Sequence, residues 1–325
     1  MKRVLVCGGA GYIGAHMAKL LAERGHEVTV FDNLSTGHRS AARWGELIEG
    51  DVLDEAALAR VFETRRIDAV MHFCALSVVS DSVRWPDRYH RNNVIGTRTL
   101  LQAMRDAGVD RLIFSSTAAV YGTPLHPLVD EAHPTVPINP YGDSEPQSEG
   151  WRADAAAWGL RSVALRYFNA AGADPDGTIG ESHSPETHLI PNVLRSALAD
   201  SGTPLQVFGD DYPTRDGTCI RDYVHVNDLA DAHLRALDYL DAHAGTHRFN
   251  LGSGSGFSVM EVIEAARAVT GKRIAFDVSP RRPGDPPVLV ADSSRAGSEL
   301  GWKPAHASLE SIIETAWRWH LKPAY

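Results

Sequence analysis

Three glycines at regular spacing form the first candidate site for ligand chemistry in this chain. Gly8, Gly11 and Gly14 follow a short apolar run and open an amphipathic stretch, an arrangement that brings a phosphate against the free N–H groups of a helix N-terminus. Asp32 ends the next apolar run roughly 20 residues on, where a carboxylate accepts hydrogen bonds from both adenosine ribose hydroxyls and repels a 2′-phosphate. Asn33 follows it instead of an arginine. The pattern therefore predicts a dinucleotide site that prefers NAD to NADP.

The elements that must position this turn alternate between short β-branched runs and longer helical stretches. Strands are predicted at Arg3–Cys7, Glu27–Phe31, Leu47–Asp51, Ala69–Cys74, Arg111–Ser115 and Ser162–Phe168. Helices are predicted at Tyr12–Arg24, Asp54–Glu63, Asn93–Ala107 and Ser148–Trp158. Alternation of this kind predicts an α/β fold with a doubly wound parallel Rossmann sheet, covered by helices on both faces.

The amino-acid composition of the chain changes after about Phe168. Gly, Pro, Asp and Ser become more frequent, and the irregular connections become longer. Residues 222–240 and 247–252 again have the pattern of sheet and helix, and Ser258 with Glu261 has the spacing of a capping box. We therefore expect an NAD-binding Rossmann domain of residues 1–168, to which 222–252 return. Residues 169–221 and 253–325 are expected to form a smaller C-terminal α/β substrate domain.

Charge and composition exclude several classes of function. The chain has 32 Lys+Arg against 41 Asp+Glu, a net charge of −9, and is 43% hydrophobic, which argues against a broad nucleic-acid-binding surface. No apolar run approaches the ~18 residues of a membrane helix. Cys7, Cys74 and Cys219 are too few for a disulfide framework. We expect a cytoplasmic protein without nucleic-acid or membrane partners. Nearly all its positive charge is arginine, because lysine occurs only at Lys2, Lys19, Lys272, Lys303 and Lys322.

Further motifs are spread along essentially the whole chain. Besides the glycine turn they are His72–Ala75, Asn92–Val94, Ser115–Gly122, Asn139–Gly142, Arg166–Asn169, Asp211–Thr218, Arg221–Val226 and Arg281–Asp285. With these motifs the chain resembles the extended short-chain dehydrogenase/reductase family, and within it the enzymes that epimerise UDP-hexoses at C4. The resemblance implies bound NAD, a UDP-sugar substrate, a transient 4-keto intermediate and a homodimer.

The resemblance also implies the catalytic roles. Tyr141 would take the proton from the sugar 4-hydroxyl, and Thr117 would hydrogen-bond the same oxygen. A phenol with its ordinary pKa of about 10 is a poor base at neutral pH, and the family lowers that pKa with the cationic nicotinamide and a lysine four residues after the tyrosine. Glu145 stands at that position here, and no other lysine obviously replaces it. A carboxylate there is expected to raise the pKa of the phenol, although it can still bond the nicotinamide ribose.

Glu145 leaves more than one function open. The chain is either a UDP-hexose 4-epimerase that works through the charge of NAD and Thr117 alone, or a weak or silent NAD/UDP-sugar-binding homologue. Another conversion through a 4-keto intermediate, such as dehydration or decarboxylation, is a further alternative. Dehydration needs an added acid/base pair, which Ala118 and Ala119 after Thr117 do not supply.

Pro146 complicates the local structure around this site. A proline inside a helix removes a hydrogen bond and clashes one turn back. Ser144 and Gln147 have the spacing of a capping box, so a later helix start is predicted in which Pro146 lies in the first turn. Such a start would hold Tyr141 less firmly.

The remaining site residues follow from the resemblance in two groups. The cofactor would contact Gly8, Gly11, Tyr12, Ile13, Gly14, Asp32, Asn33, Asp51, Val52, Phe73, Ala75, Asn92, Ser115, Tyr141 and Phe168. The substrate would contact Asn169, His188, Leu189, Gln206, Phe208, Arg221, Arg282 and Asp285. The two arginines would hold the diphosphate, for which guanidinium geometry is suited. Leu289 occupies the position that gates N-acetylated sugars, and its intermediate size leaves that specificity open. No His/Cys/Asp set has zinc spacing, so no metal is predicted.

Overall fold

The fold is built on a parallel sheet whose strands coincide with the predicted β-branched runs. A computed structural model describes residues 1–198, 204–282 and 284–325. The strands are β1 (Arg3–Cys7), β2 (Glu27–Asp32), β3 (Glu46–Glu49), β4 (Ala69–His72), β5 (Arg111–Thr117), β6 (Leu128–Val129), β7 (Arg161–Tyr167), β8 (Asn169–Ala171), β9 (Leu205–Phe208), β10 (Ile220–Arg221), β11 (Tyr223–His225), β12 (Thr246–Leu251), β13 (Phe257–Ser258), β14 (Phe276–Ser279) and β15 (Val288–Ala291). The helices are α1 (Tyr12–Glu23), α2 (Glu55–Thr64), α3 (Val79–Arg84), α4 (Pro86–Tyr89), α5 (Gly96–Asp106), α6 (Pro140–Ala155), α7 (Leu189–Leu198), α8 (Val226–Tyr239), α9 (Val259–Thr270), α10 (Ser294–Glu299) and α11 (Leu309–Leu321).

The central sheet has seven strands in the order β3-β2-β1-β4-β5-β7-β12. Every neighbouring pair is parallel. The chain winds outward in one direction from β1 through β2 to β3, and in the other from β4 onward, so the strand order reverses between β1 and β4. Ligands of doubly wound sheets bind outside the carboxyl ends of the strands at such a point. The predicted doubly wound α/β fold is thereby confirmed.

Both faces of this sheet are buried, as the continuous apolar run of β1 requires. Val4 and Val6 pack in one hydrophobic cluster with α1 and α8. Leu5 and Cys7 pack in a second cluster with α2 and α5, because successive side chains of a strand point to opposite faces. The two helical layers hold the carboxyl ends of the strands, and the loops after them, in fixed positions.

A second set of small sheets lies beyond β7. One has the strand order β13-β10-β15-β6, and β9 pairs with β14. A third hydrophobic cluster combines α7, α9 and α11 around Val193, Ile263 and Ile313. β12 pairs with β7 of the central sheet, while β6, from the first half of the chain, pairs with β15. Ser258 and Glu261 form the predicted capping box at the start of α9. Within the described residues, no helix is long and apolar enough to cross a membrane.

The helix that carries Tyr141 begins earlier than predicted. Asn139 caps α6 by accepting a 2.8 Å hydrogen bond from the backbone N–H of Gly142, and Pro140 occupies the first turn, where its missing N–H costs nothing. The predicted starts at Ser144 or Ser148 are therefore wrong. Pro146 lies inside the helix, so the carbonyl of Gly142 lacks the N–H that a non-proline residue would offer it. The early cap places Tyr141 and Glu145 one helical turn apart on the same face.

Candidate active site

The glycine turn after β1 is closed too tightly for any side chain. A Cβ on Gly14 would lie 2.1 Å from the carbonyl oxygen of Gly8, and Gly8 itself has a φ of +80°. Gly11 is the N-cap of α1 and has no side chain that could hydrogen-bond the first N–H groups of the helix. These groups therefore remain available to an anion. The turn therefore fits the pyrophosphate of a dinucleotide.

Two carboxylates lie beside the turn at the ends of β2 and β3. Asp32 is 6% exposed and accepts hydrogen bonds from the backbone N–H groups of Ala10 at 2.9 Å and Leu34 at 2.8 Å. Burial raises the pKa of Asp32, and these bonds act in the opposite direction. The side-chain amide of Asn33 donates to Asp51 at 2.9 Å. The structure thus brings Asn33 and Asp51 into contact beside Asp32. The strand β3 ends at Glu49 and not at Asp51 as predicted, and Val52 is buried.

The next candidate cofactor residues lie where β4, β5 and β7 end. Phe73 and Ala75 follow β4 directly, and the ring of Phe73 lies 4.9 Å from that of His233. Asn92 donates its side-chain amide to the carbonyl of Cys74 at 3.1 Å, which fixes the same loop. In β5, the Ser115 hydroxyl hydrogen-bonds the Tyr167 hydroxyl. Phe168, after β7, packs with Leu289 against the segment that follows Thr117.

Tyr141 and Thr117 meet where β5 ends and α6 begins. Burial raises the pKa of Tyr141 most and Glu145 raises it further, whereas the neighbouring Thr117 hydroxyl lowers it. Together these effects hold the pKa of Tyr141 well above its usual value. The Tyr89 ring lies 6.4 Å from that of Tyr141 in an edge-to-face arrangement. Tyr141 thus has Thr117 and Tyr89 as neighbours, and its phenol is neutral at physiological pH.

Glu145 is a buried acid beside this pair. The residue is 1% exposed, and its Oε2 atom has no hydrogen-bond partner within the described residues. Burial and then repulsion from Glu149 raise the pKa of Glu145 to about 8, although Arg152 acts in the opposite direction. The carboxyl also lines a cavity of about 10 Å³ together with Ala75 and Ser115, roughly the space of one water molecule. The expected carboxylate is therefore mostly a neutral carboxylic acid at pH 7.

A buried ion-pair network links α6 to strands β5 and β7 of the central sheet. The sequence did not predict this network. Glu149 accepts hydrogen bonds from Arg166 at 2.6 and 2.9 Å and from Ser116 at 2.8 Å. Arg152, 3% exposed, donates to Ser162 at 2.9 Å. Glu145, Glu149 and Arg152 follow one another at spacings of four and three residues, which places them on one helix face. This spacing is the sequence signal for the shared face, but a helix predicted to begin at Ser148 leaves Glu145 outside it.

The candidate diphosphate residues form a second group at the small sheets. Arg221 pairs with Asp285, whose backbone N–H donates to the carbonyl of Arg282 at 3.2 Å. The Arg282 guanidinium lies 4.1 Å from the centre of the Phe208 ring. Leu289 is the β15 residue opposite Arg221. Because Leu289 also packs beside Phe168, this group borders the segment that follows Thr117.

Three further substrate candidates lie at the edges of that group, and a fourth faces elsewhere. Asn169 donates its side-chain amide to the carbonyl of Asp222 at 2.8 Å. Leu189 begins α7 and packs on the third hydrophobic cluster. Gln206 is exposed on β9 and accepts a 2.7 Å hydrogen bond from Ser279. His188 instead hydrogen-bonds Glu181 at 2.5 Å.

A glycine turn at the switch point, an acidic residue after β2 and a Tyr–Thr pair above the sheet define a nucleotide-dependent oxidoreductase-type site. The model of the NAD dependent epimerase/dehydratase family matches residues 4–252, and the chain belongs to this family.

The comparisons then point to one kind of enzyme. The chain is 51% identical over 321 residues to the UDP-glucose 4-epimerase of Lacticaseibacillus casei, covering 98% of this chain and 96% of the relative. It is similar to the structure of UDP-glucose 4-epimerase from Brucella ovis in complex with NAD, with 49% identity, a TM-score of 0.94 and 98% of each chain covered. The structure from Bifidobacterium longum in complex with NAD+ and UDP has 39% identity and a TM-score of 0.93, with 99% of this chain and 98% of that chain covered.

Proposed function

We propose that this chain is an NAD-dependent UDP-hexose 4-epimerase of the UDP-glucose/UDP-galactose type. The observation that carries the proposal is the pairing of Thr117 and Tyr141, in which the Thr117 hydroxyl lowers the pKa of the Tyr141 phenol, at the carboxyl end of β5 and the first turn of α6. Relatives about half identical over nearly the full length support the same reaction.

The catalytic pair would act on a single oxygen of the sugar. Tyr141 holds and releases the proton of the 4-hydroxyl, and Thr117 hydrogen-bonds the same oxygen while it has carbonyl character. Bound NAD supplies the group that takes up and returns the hydrogen of C4, together with a positive charge that favours the tyrosinate.

Glu145 would act as a neutral hydrogen-bond donor and not as an anion. A protonated carboxyl has one O–H to donate. The Oε2 atom of Glu145 has no partner among the described residues, and Glu145 lines the cavity beside Ala75 and Ser115. There it would contact the nicotinamide ribose. While Glu145 keeps its proton, its unfavourable effect on the tyrosinate of Tyr141 is largely absent.

The UDP part of the substrate would be bound by the second group of residues, which lies at the small sheets. Arg221 and Arg282 would each turn from their present partners, Asp285 and Phe208, to the diphosphate, and Asp285 would then accept hydrogen bonds from the uridine ribose. Phe208 and Leu189 offer apolar contact to the uracil, with Gln206 beside it. Asn169 offers an amide to the sugar or phosphate, and His188 remains a candidate at the edge of the site.

The proposal extends to the domain organisation, the cellular location and the oligomeric state of the protein. We assign residues 1–168 with 222–252 to an NAD-binding domain, and residues 169–221 with 253–325 to a nucleotide-sugar domain. We place the protein in the cytoplasm, where its three free thiols would stay reduced, and propose that it forms a homodimer.

The experiment is incubation of the purified protein with UDP-galactose, followed by chromatography of the sugar nucleotides and of the cofactor released on denaturation. We expect an equilibrium mixture of UDP-galactose and UDP-glucose, with NAD retained. The matched control is Tyr141→Phe, which keeps the ring but removes the proton and should lower turnover by about 10²-fold or more without loss of NAD.

A second candidate function is binding of NAD and UDP-sugar without turnover. The buried Glu145 at the lysine position favours it, because this residue raises the pKa of Tyr141. Retained NAD with unchanged UDP-galactose would support this second function and contradict the first. An N-acetylated UDP-hexose, run in parallel, tests whether Leu289 admits the larger sugar.

A further inference from the structure

A cluster of four ligand-type side chains lies in the loop between β8 and α7, outside the catalytic pair. Glu181, His183, Glu186 and His188 direct one nitrogen or oxygen each to a common point, with all four atoms within 4.8 Å of one another. From Glu181 Oε1, the Nδ1 atoms of His183 and His188 are 3.2 and 2.5 Å away. From Glu186, the same two nitrogens are 3.9 Å away at Oε2 and 3.5 Å away at Oε1.

Glu186 is oriented into this cluster by its own backbone. The N–H groups of Thr187 and His188 donate to Oε1 at 2.8 and 2.9 Å, which leaves Oε2 facing His183. The Glu186 side chain is 1% exposed, and its Oε2 has no hydrogen-bond partner in the part of the chain that the structure describes. A buried carboxylate oxygen without a partner is costly, so this atom points to a cation that would occupy the space it faces.

The charges around the cluster leave room for such a cation. The side chain of Glu181 is 3% exposed, so two carboxylates are withdrawn from water close together. Arg195 approaches Glu186 Oε2 only to 3.8 Å, and its side chain is 47% exposed. With a metal bound, the ligands would be two carboxylates and two imidazoles, and one divalent ion would balance the charge of the two carboxylates.

We propose that Glu181, His183, Glu186 and His188 form a binding site for a divalent transition metal, with Zn²⁺ as the ion that fits best. Two imidazole nitrogens and two carboxylate oxygens are zinc ligands, and bond lengths of about 2.0–2.2 Å in a tetrahedron separate the ligand atoms by about 3.4 Å. The four carboxylate–imidazole distances, from 2.5 to 3.9 Å, lie on both sides of that value, and all four ligand atoms lie within 4.8 Å of one another. The site departs from the sequence-based expectation of no metal.

The position of the site indicates a structural role. The backbone carbonyl of Glu181 accepts a 2.9 Å hydrogen bond from the buried Trp319 of α11, and the His183 ring packs edge-on against Tyr12 at 6.3 Å. Tyr12 begins α1 after the glycine turn, and Leu189 begins α7 directly after His188. A metal here would tie the cofactor turn, the C-terminal helix and the loop that leads into α7 to one point.

The direct test is the zinc content of the full-length holoprotein, expressed with added zinc, dialysed and measured by plasma mass spectrometry. We expect ~1 zinc per chain, and less than a tenth of that in His183→Ala and Glu186→Gln. His126→Ala and Glu310→Gln, at exposed positions outside the cluster, are the controls and should hold as much zinc as the parent. A parent protein without zinc, or a His183→Ala protein that holds as much as the parent, overturns the proposal.

A second measurement does not depend on the variants folding. The parent is stripped with a chelator, and its melting temperature is recorded with Zn²⁺, with Mg²⁺ and with neither. The proposal requires that Zn²⁺ raise the melting temperature of the stripped parent and that Mg²⁺ not do so, since imidazole ligands disfavour magnesium. Equal melting temperatures in all three conditions would show that the cluster is held by histidine–carboxylate pairs alone.

Discussion

Replacing Glu145 by glutamine should make the stability of the protein less dependent on pH. The folded protein holds the pKa of Glu145 at about 8, whereas the unfolded chain releases that proton near the ordinary value of 4.5. A group that binds its proton more tightly when folded stabilises the fold fully below the unfolded pKa, and this stabilisation is lost as the pH rises through the folded pKa. At about 1.4 kcal/mol per pH unit, the loss amounts to about 3 kcal/mol by pH 7 and about 5 kcal/mol above pH 8.

Glutamine keeps the shape of the protonated carboxyl and cannot ionise. The melting temperature of Glu145→Gln, relative to that of the parent, should therefore increase from pH 5 to pH 8 and then stay constant. Both proteins are melted with saturating NAD, and Glu310→Gln at an exposed position is the matched control, for which the difference should not change with pH. If the difference between Glu145→Gln and the parent is the same at pH 5 and pH 8.5, the carboxyl does not carry a raised pKa and the reasoning fails.

The same substitution separates the neutral from the ionised form of Glu145 in catalysis. At pH 7 a carboxyl with a pKa of about 8 is protonated about ten to one, so the kcat of Glu145→Gln should lie within about twofold of the parent. As Glu145 ionises with rising pH, the parent should lose activity, because the Glu145 anion raises the pKa of Tyr141, while the variant should not. The cationic nicotinamide of bound NAD would lower the pKa of Glu145, so the decline of the parent begins at or below pH 8.

Three further substitutions test the rest of the site. Glu145→Lys should raise kcat for UDP-galactose about tenfold or more, because a nearby cation lowers a phenol's pKa by about 1–3 units; a variant no faster than the parent would mean that the missing lysine does not limit turnover. Gly14→Ala should abolish retention of NAD, measured by absorbance of the denatured supernatant, because its Cβ would lie 2.1 Å from the Gly8 oxygen; Gly150→Ala, with open space around its Cβ, should retain the cofactor. Arg282→Ala should raise KM for UDP-galactose about tenfold through the lost charged hydrogen bond with little change in kcat, whereas Arg273→Ala, which is also exposed, should not.

The central sheet and the cofactor turn could be predicted from the sequence because their signals are local. The bounds of β1 are those expected, and β2, β4, β5 and β7 differ from the expected bounds by at most two residues at either end. An apolar run of four to seven residues between turns leaves few alternatives to a buried parallel strand. The glycine spacing likewise predicts the turn, since a Cβ on Gly14 would lie 2.1 Å from the carbonyl oxygen of Gly8.

The parts that could not be predicted depend on contacts between distant residues. The start of α6 was placed too late because Pro146 weighs heavily in a local pattern, while the cap at Asn139 and the packing of the helix outweigh it. The His–Glu cluster was missed because its ligands follow at spacings of two, three and two residues in a loop, and only the folded chain shows that their atoms converge. The protonation of Glu145 depends on burial between α6 and β5, which no spacing reveals.

The buried face of α6 suggests how a carboxyl could serve at the position where the resemblance implies a lysine. The negative charge of Glu149 is balanced by its ion pair with Arg166. Arg152 is therefore a second buried guanidinium whose charge Glu149 does not balance, and its Nε atom has no partner among the described residues. While Glu145 is protonated, these four side chains carry one net positive charge, the same sign that the lysine would supply. Ionisation of Glu145 would cancel that charge and place an anion one turn from Tyr141. The neutral acid is therefore the form that we expect to be compatible with a tyrosinate, and the burial that raises the pKa of Glu145 would favour this form at neutral pH.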